Sequence, residues 1–211
     1  PENGVFLREG VIYRSHNGEK TKLMDAESIL LLGLHNIENY MAAFAATDGI
    51  VSDDTCRAVA ESFCGVAHRL EMIRTLHGVT YCNDSIASSP TRTIAGLHAL
   101  RQKPILIAGG YDKHIPFDTL GDEICRHVKA LFLTGFTAEK IYDAVTKSPL
   151  YAPEALPIRK IDDFREAVLA AAASAEEGDL VLLSPACASF DHFKNFVERG
   201  ETFRSIVNEL K

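Results

Sequence analysis

The chain has 211 residues, 46% hydrophobic and 24% charged, which is enough apolar content to bury a core and too much for a disordered tail. Its 29 acidic residues outnumber the 22 Lys and Arg for a net charge of −7, and no basic run offers a face to nucleic acid. The five cysteines (Cys56, Cys64, Cys82, Cys125 and Cys187) are widely spaced with no CxxC pair, which argues against a disulfide framework or a zinc site and for reduced thiols in the cytoplasm. No apolar run is long enough to span a bilayer, and Pro-Glu-Asn-Gly at the start has none of the regions of a signal peptide, so no membrane partner is expected.

In chain order, residues 5–8 and 11–14 are β-prone runs joined by Glu9-Gly10, the pattern of a hairpin. The apolar stretch 28–34 predicts a short strand. His35-Asn36 opens a helix through Ala46, with Tyr40, Ala43 and Phe44 at helical spacing. Asp53-Asp54-Thr55 predicts the cap of a second helix over 56–63. The pattern changes between Gly65 and His68, the natural boundary. Strands are then expected at 79–82, 105–108, 130–134, 158–161 and 180–183. Helices are expected from Pro90 to about Leu100, over 120–127, 138–147 and 164–175, and in two final stretches. Apolar strands alternating with amphipathic helices predict an α/β fold with a mainly parallel sheet.

Ligands of such sheets sit beyond the C-terminal ends of the strands. Three of those ends stand out: Asn83-Asp84-Ser85, Gly109-Gly110-Tyr111-Asp112-Lys113, and Ser184-Pro185-Ala186-Cys187-Ala188-Ser189. Each is polar, small or glycine-rich and precedes a helix, whose free N–H groups suit anions. Ser88 and Ser89 before Pro90 read as an N-cap with proline in the first turn. The residues alone describe a cleft for an acidic small molecule, with Lys113 as counter-charge, and they name no reaction. Structural roles stay open beside the functional ones. His35, His68, Asn36 and Asn39 also suit helix boundaries. Gly109-Gly110 suits a turn, Arg69 and Glu71 a surface ion pair, and Lys113 a solvated lysine. Cys187 reads as a buried thiol, and no GxSxG elbow supports a hydrolase.

Read together, these segments resemble one family. Gly33-Leu34-His35-Asn36-Ile37-Glu38-Asn39 is similar to the GxHNxxN segment of the Mur ligases, and His68-Arg69-Leu70-Glu71 to their HRxE junction. The three strand ends and the tail Phe193-Lys194-Asn195-Phe196-Val197-Glu198-Arg199-Gly200 continue the resemblance in the right order, best with the D-glutamate-adding branch. The resemblance implies an ATP-dependent amide ligase of peptidoglycan synthesis. It would join D-glutamate to UDP-N-acetylmuramoyl-L-alanine through an acyl phosphate, with Mg²⁺ and cationic groups meeting the developing charge. It implies that residues 1–66 end a central ATPase domain and that 67–211 form a C-terminal Rossmann-like domain. Asn36 and Asn39 would read the adenine, with Arg69 and Asp84 also on the nucleotide. Ser88, Lys113, Ser189 and Phe196 would form the D-glutamate pocket, Lys113 pairing with a glutamate carboxylate as the residue on which catalysis depends, and Phe196 acting through its backbone. A monomer is expected. No metal ligand is expected on this chain; those for Mg²⁺ would lie upstream.

Two departures matter. Where the family commonly has a lysine after Asn-Asp-Ser, this chain has Ile86, which removes one positive charge from the pocket. No GxxxxGK[ST] phosphate loop occurs and the first residue is Pro1, so the chain is expected to be a fragment that does not ligate alone. The competing expectation is a non-catalytic amino-acid-binding or regulatory module on the same fold. A dinucleotide binder would need GxGxxG after the first strand of the parallel sheet, and residues 83–90 contain no glycine. A folate-polyglutamylating sibling is not expected to carry Ser-Pro-Ala-Cys-Ala-Ser.

Overall fold

The computed structural model describes residues 1–31 and 33–211, which form two compact units, Pro1–Gly65 and Val66–Lys211. In the first unit β1 (Gly4–Arg8), β2 (Val11–His16) and β3 (Glu19–Asp25) make an antiparallel meander. The turns follow from their residues. Glu9-Gly10 and Asn17-Gly18 take φ of 50° and 78°, and of 50° and 85°, with both central positions in the left-handed region that matches the twist of paired strands. The expected hairpin over 5–14 is thus present. β3 extends it by a strand that the pattern leaves unmarked, because residues 19–22 are all exposed and only Leu23 and Met24 are buried.

Helices α1 (Leu34–Ala46) and α2 (Asp53–Ser62) close a core of Ile12, Leu23, Met24, Phe44, Cys56 and Ala60. Buried Arg14 on β2 pairs with Asp53, lies 3.2 Å from Asp48 and donates to the Phe44 carbonyl at 3.3 Å, fastening strand to helices. The α2 cap is Ser52, whose hydroxyl accepts from the Thr55 N–H at 3.2 Å. Asp53 and Asp54, expected as the cap, lie inside the first turn, where they complement the helix dipole instead. The strand expected over 28–34 is not formed by the described residues. Ala26–Ser28 is a 3-10 turn, Gly33 caps α1 at φ 97°, and Leu32 lies outside the described residues.

The second unit holds β4 (Glu71–Leu76), β5 (Val79–Asn83), β6 (Ile105–Gly109), β7 (Ala130–Thr134), β8 (Ile158–Lys160) and β9 (Leu180–Leu183). Its helices are α3 (Pro90–Ala99), α4 (Asp118–His127), α5 (Ala138–Thr146), α6 (Phe164–Ala173) and α7 (Phe196–Glu209). The sheet order is β4-β5-β9-β6-β7-β8, parallel throughout except that β4 runs antiparallel to β5. This is the mainly parallel α/β sheet that the sequence predicts. Strand side chains alternate between two cores. Leu106, Ala108, Leu131, Leu133 and Leu182 pack with Leu97, Ile124 and Ile141 of α3, α4 and α5. Ile105, Ile107, Phe132 and Val181 pack with Val168 of α6 and Phe203 and Ile206 of α7. A strand buried on both faces reads as a continuous apolar run, which is why β6, β7 and β9 are visible in the sequence.

β4 is an unpredicted strand. It is an edge strand with Met72 46% exposed, joined to β5 by the same kind of turn, His77-Gly78, at φ 50° and 77°. The two expected final helices are one, α7; the stretch before it forms turns closed by Phe193 and His192 N–H donating to the Ser189 carbonyl at 2.8 and 3.3 Å. Ser89 does occupy the N-cap of α3 with Pro90 following, but its hydroxyl meets Thr91 at 3.2 Å and makes no capping bond. The last strand, β9, lies between β5 and β6, so the chain leaves β5, passes over one position and returns to fill it last. The carboxyl ends of these three strands are therefore neighbours where the connections diverge, the position at which open α/β sheets bind ligands.

Candidate active site

The loops after β5, β6 and β9 are laced together by backbone and by one arginine. Gly109 and Gly110 take φ of 116° and 146°. A Cβ on Gly109 would lie 1.9 Å from the Thr134 carbonyl oxygen, and one on Gly110 would lie 2.3 Å from that of Ala188. The glycine pair thus lets the β6 loop press against both neighbouring loops. Tyr111 N–H donates to the Ala188 carbonyl at 2.9 Å, and Gly109 N–H to that of Pro185 at 2.8 Å. Thr137 Oγ1 bonds the Gly110 carbonyl at 3.1 Å and touches Cys187 Sγ at 3.0 Å. Burial pushes the Cys187 thiol up to about 11, so it is a packed, neutral group and not a nucleophile.

Arg199, 2% exposed, spends its guanidinium on these loops. It donates to Ser85 Oγ at 3.0 Å and to the carbonyls of Ser85, Cys187 and Ala188 at 2.9, 3.1 and 3.1 Å. Ser85 Oγ in turn donates to the Phe196 carbonyl at 2.8 Å. Asn83 contacts His68 Nδ1 at 2.9 Å, donates to the Gly200 carbonyl at 3.3 Å, and accepts from Ser85 N–H at 3.1 Å. Glu71 accepts from the His68 N–H at 2.9 Å and from Arg204 at 2.7 and 2.8 Å. Burial pushes the Glu71 carboxyl up, but these bonds outweigh it and hold the group below its usual range.

Asp84 is 4% exposed and accepts from Ser184 Oγ at 2.8 Å and from Leu70 N–H at 3.2 Å. Burial raises its pKa to about 6, against the opposing pull of those bonds and of Arg69 and Arg92. Ser184 also bonds Thr93 of α3 at 3.0 Å, so Asp84 ties the His68–Glu71 turn to β9 and α3. The exposed Lys113 presents a different picture. Its Nζ lies 3.2 Å from the Ser88 carbonyl and 3.4 Å from Ser88 Oγ. Beside it, Asp112 is held by Lys140 and by the His114 N–H, which lowers its pKa. A separate open groove of about 450 Å³, lined by residues 114–118 with Lys140, Asp143, Ala144 and Lys147, contains none of the four expected pocket residues.

A family model described as "Mur ligase, glutamate ligase domain" matches residues 68–187. The chain belongs to the Mur ligase family. The UDP-N-acetylmuramoylalanine–D-glutamate ligase of Clostridium novyi is 50% identical over 214 residues, covering 99% of this chain and 45% of the relative. The ligase of the same name from Acetivibrio thermocellus is 47% identical over 212 residues, covering 100% of this chain and 46% of the relative. The chain thus spans about 45% of the length of the curated relatives it matches. A pseudomurein peptide ligase type C from Methanothermus fervidus shares the fold at a TM-score of 0.67 and 14% identity, over 100% of this chain and 42% of that one.

Within this Mur ligase chain, the expected site residues are placed as follows. Ser88 and Lys113 meet directly. Ser189, 2% exposed, follows Ala188 in the loop that pairs with Tyr111, two residues from Lys113. Phe196 opens α7, gives its carbonyl to Ser85 and sets its ring edge-on to His68 at 6.0 Å. Arg69 is exposed next to buried Asp84. Asn36 and Asn39 lie in the first unit, one turn apart on α1, Asn36 buried and Asn39 exposed. The sequence pattern does not single out Arg199, Thr93 or Ser184 Oγ. For Arg199 a signal exists: positions 199, 203, 206 and 207 form the buried stripe of α7, and an arginine on an apolar stripe is itself anomalous.

Proposed function

We propose that this chain is the glutamate-binding part of an ATP-dependent ligase that adds D-glutamate to UDP-N-acetylmuramoyl-L-alanine. The observation that carries the reading is the Lys113–Ser88 corner beyond the parallel strands. Lys113 is exposed and, among the described residues, bonded only to neutral oxygens of Ser88, so a ligand carboxylate would be a stronger partner than the one it has. The names of the curated relatives support the same substrate. In this reading Lys113 holds a glutamate carboxylate, Ser88 and Ser189 contribute hydroxyls, and the Phe196 backbone closes the pocket.

Nucleotide contacts are proposed for each unit by itself. In the first unit Asn36 and Asn39 carry amides, the side-chain type that both donates to and accepts from a base edge. In the second unit Arg69 is an exposed cation, and Asp84 keeps lone pairs beyond those taken by Leu70 and Ser184 for a sugar hydroxyl. ATP supplies the phosphoryl group that makes a carboxylate electrophilic, with Mg²⁺ as charge partner; none of the proposed residues is assigned to the metal. The chain's own part is to hold the glutamate amine in reach and to fix its carboxylates. Five free cysteines support a reducing, cytoplasmic setting.

The test is calorimetric titration of the 211-residue chain with D-glutamate, repeated on Lys113→Ala. A lost charge-assisted bond predicts binding weaker by about tenfold or more. Unchanged binding in Lys113→Ala overturns the pocket assignment.

A further inference from the structure

A second cluster lies on the helices, away from the residues discussed so far. His98 is in the last turn of α3, and Glu123 and His127 are one turn apart on α4 and share a face. His98 Nε2 lies 2.5 Å from Glu123 Oε2, and His127 Nε2 lies 3.4 Å from the same oxygen. The two imidazoles are 4.9 Å apart at 64°, and one ligand atom from each of the three residues falls within 4.8 Å of the others. All three reach solvent, with side chains 52%, 19% and 40% exposed for His98, Glu123 and His127.

We propose that His98, Glu123 and His127 form a site for one late first-row divalent metal ion, Zn²⁺ above all, that clamps α3 to α4. A four-coordinate Zn²⁺ holds its ligands at about 2.0–2.2 Å, which sets ligand atoms roughly 3.3–3.5 Å from one another. The separation of His127 from Glu123 already has this value, and the exposed His98 ring needs to draw back by only about 1 Å. The other carboxylate oxygen of Glu123 accepts from Arg126 at 2.6 Å, which turns Oε2 toward the histidines, as the outer partners of metal ligands do. Two imidazole nitrogens and one carboxylate oxygen select Zn²⁺, Ni²⁺, Cu²⁺ or Co²⁺ over Mg²⁺ and Ca²⁺, which prefer all-oxygen shells. Arg126 is the nearby cation that the ion must tolerate, and its engagement with the far oxygen spreads its charge away from the ligand side.

The position gives the ion a structural consequence. α3 begins at the Ser88 loop and α4 follows the Lys113 loop, so a clamp between these helices steadies the two segments that meet in the proposed glutamate pocket. No covalent step is involved.

The experiment titrates the untagged 211-residue chain with Co²⁺ and then Zn²⁺, reading the visible Co²⁺ bands and the thermal midpoint. The expected result is one Co²⁺ per chain, displaced by Zn²⁺, without the thiolate charge-transfer band that Cys64 or Cys125 ligation would give, and a midpoint raised by Zn²⁺. In His98→Ala/His127→Ala the affinity falls by about a hundredfold or more and the Zn²⁺-induced rise disappears. Glu123→Gln, which keeps the side-chain shape, weakens binding in the same direction. A thiolate band, a Zn²⁺ shift surviving in the double variant, or no stoichiometric Co²⁺ binding to the wild-type chain each overturns the proposal.

Discussion

The corner around Arg199 and the corner at Lys113 sit on neighbouring loops of one sheet. At Arg199 the guanidinium is 2% exposed and donates to one hydroxyl and three carbonyls from two loops. At Lys113 the ammonium is exposed and its bonds go to a single serine. Both are cations near the same strand ends, and burial separates their tasks. A buried charge with its donors committed holds loops in place, whereas an exposed charge with weak neutral partners can exchange them for a carboxylate. Burial also shows in the Arg199 guanidinium, whose pKa is lowered to about 10.

The comparison breaks first at its backbone support. Gly109→Ala puts a methyl 1.9 Å from the Thr134 carbonyl oxygen at a φ of 116°, and a loss on the order of 4 kcal/mol or more is expected in denaturant unfolding. Arg199→Met leaves the carbonyls of Ser85, Cys187 and Ala188 without their donor and is expected to cost about 3 kcal/mol. If Arg199→Met unfolds like wild type, the division of tasks between the two cations fails.

Asp84 sharpens the same contrast through pH. Its folded pKa of about 6 lies above the unfolded value near 3.8, so the folded chain binds a proton that the unfolded chain releases. Stability from this group is therefore greatest below about pH 4, falls as pH rises to about 6 and is flat above, a change of at most about 3 kcal/mol. Asp84→Asn is expected to lack that slope, so the stability difference between wild type and variant itself falls between about pH 4 and 6; an identical slope in both would show the carboxyl to be unperturbed. The smallest expected effect on stability is that of Lys113→Ala, within about 0.5 kcal/mol, because an exposed lysine bonded to neutral oxygens contributes little. A large stability loss there would make Lys113 a structural residue like Arg199.

How far the sequence discloses this molecule depends on where each residue's chemistry is decided. β6, β7 and β9 are legible because they are buried on both faces. β3 and β4 are not, because Lys20 and Lys22 in β3 and Glu71, Arg74 and Thr75 in β4 break their apolar signal, although Asn17-Gly18 and His77-Gly78 mark both turns. The strand-end loops are legible from composition and from the resemblance together. The tasks of Arg199, Ser184 and Thr93 are not, since their partners lie up to 114 residues away in the chain. His98 and Glu123, 25 residues apart, are hidden for the same reason.

The most direct test of the central claim is an amide NMR titration of the 211-residue chain with D-glutamate. The account predicts the largest shifts at Ser88, Lys113, Ser189 and Phe196 and their loop neighbours. Largest shifts instead along the groove of residues 114–118 with Lys140 and Lys147, with Ser88 and Lys113 unmoved, would contradict it.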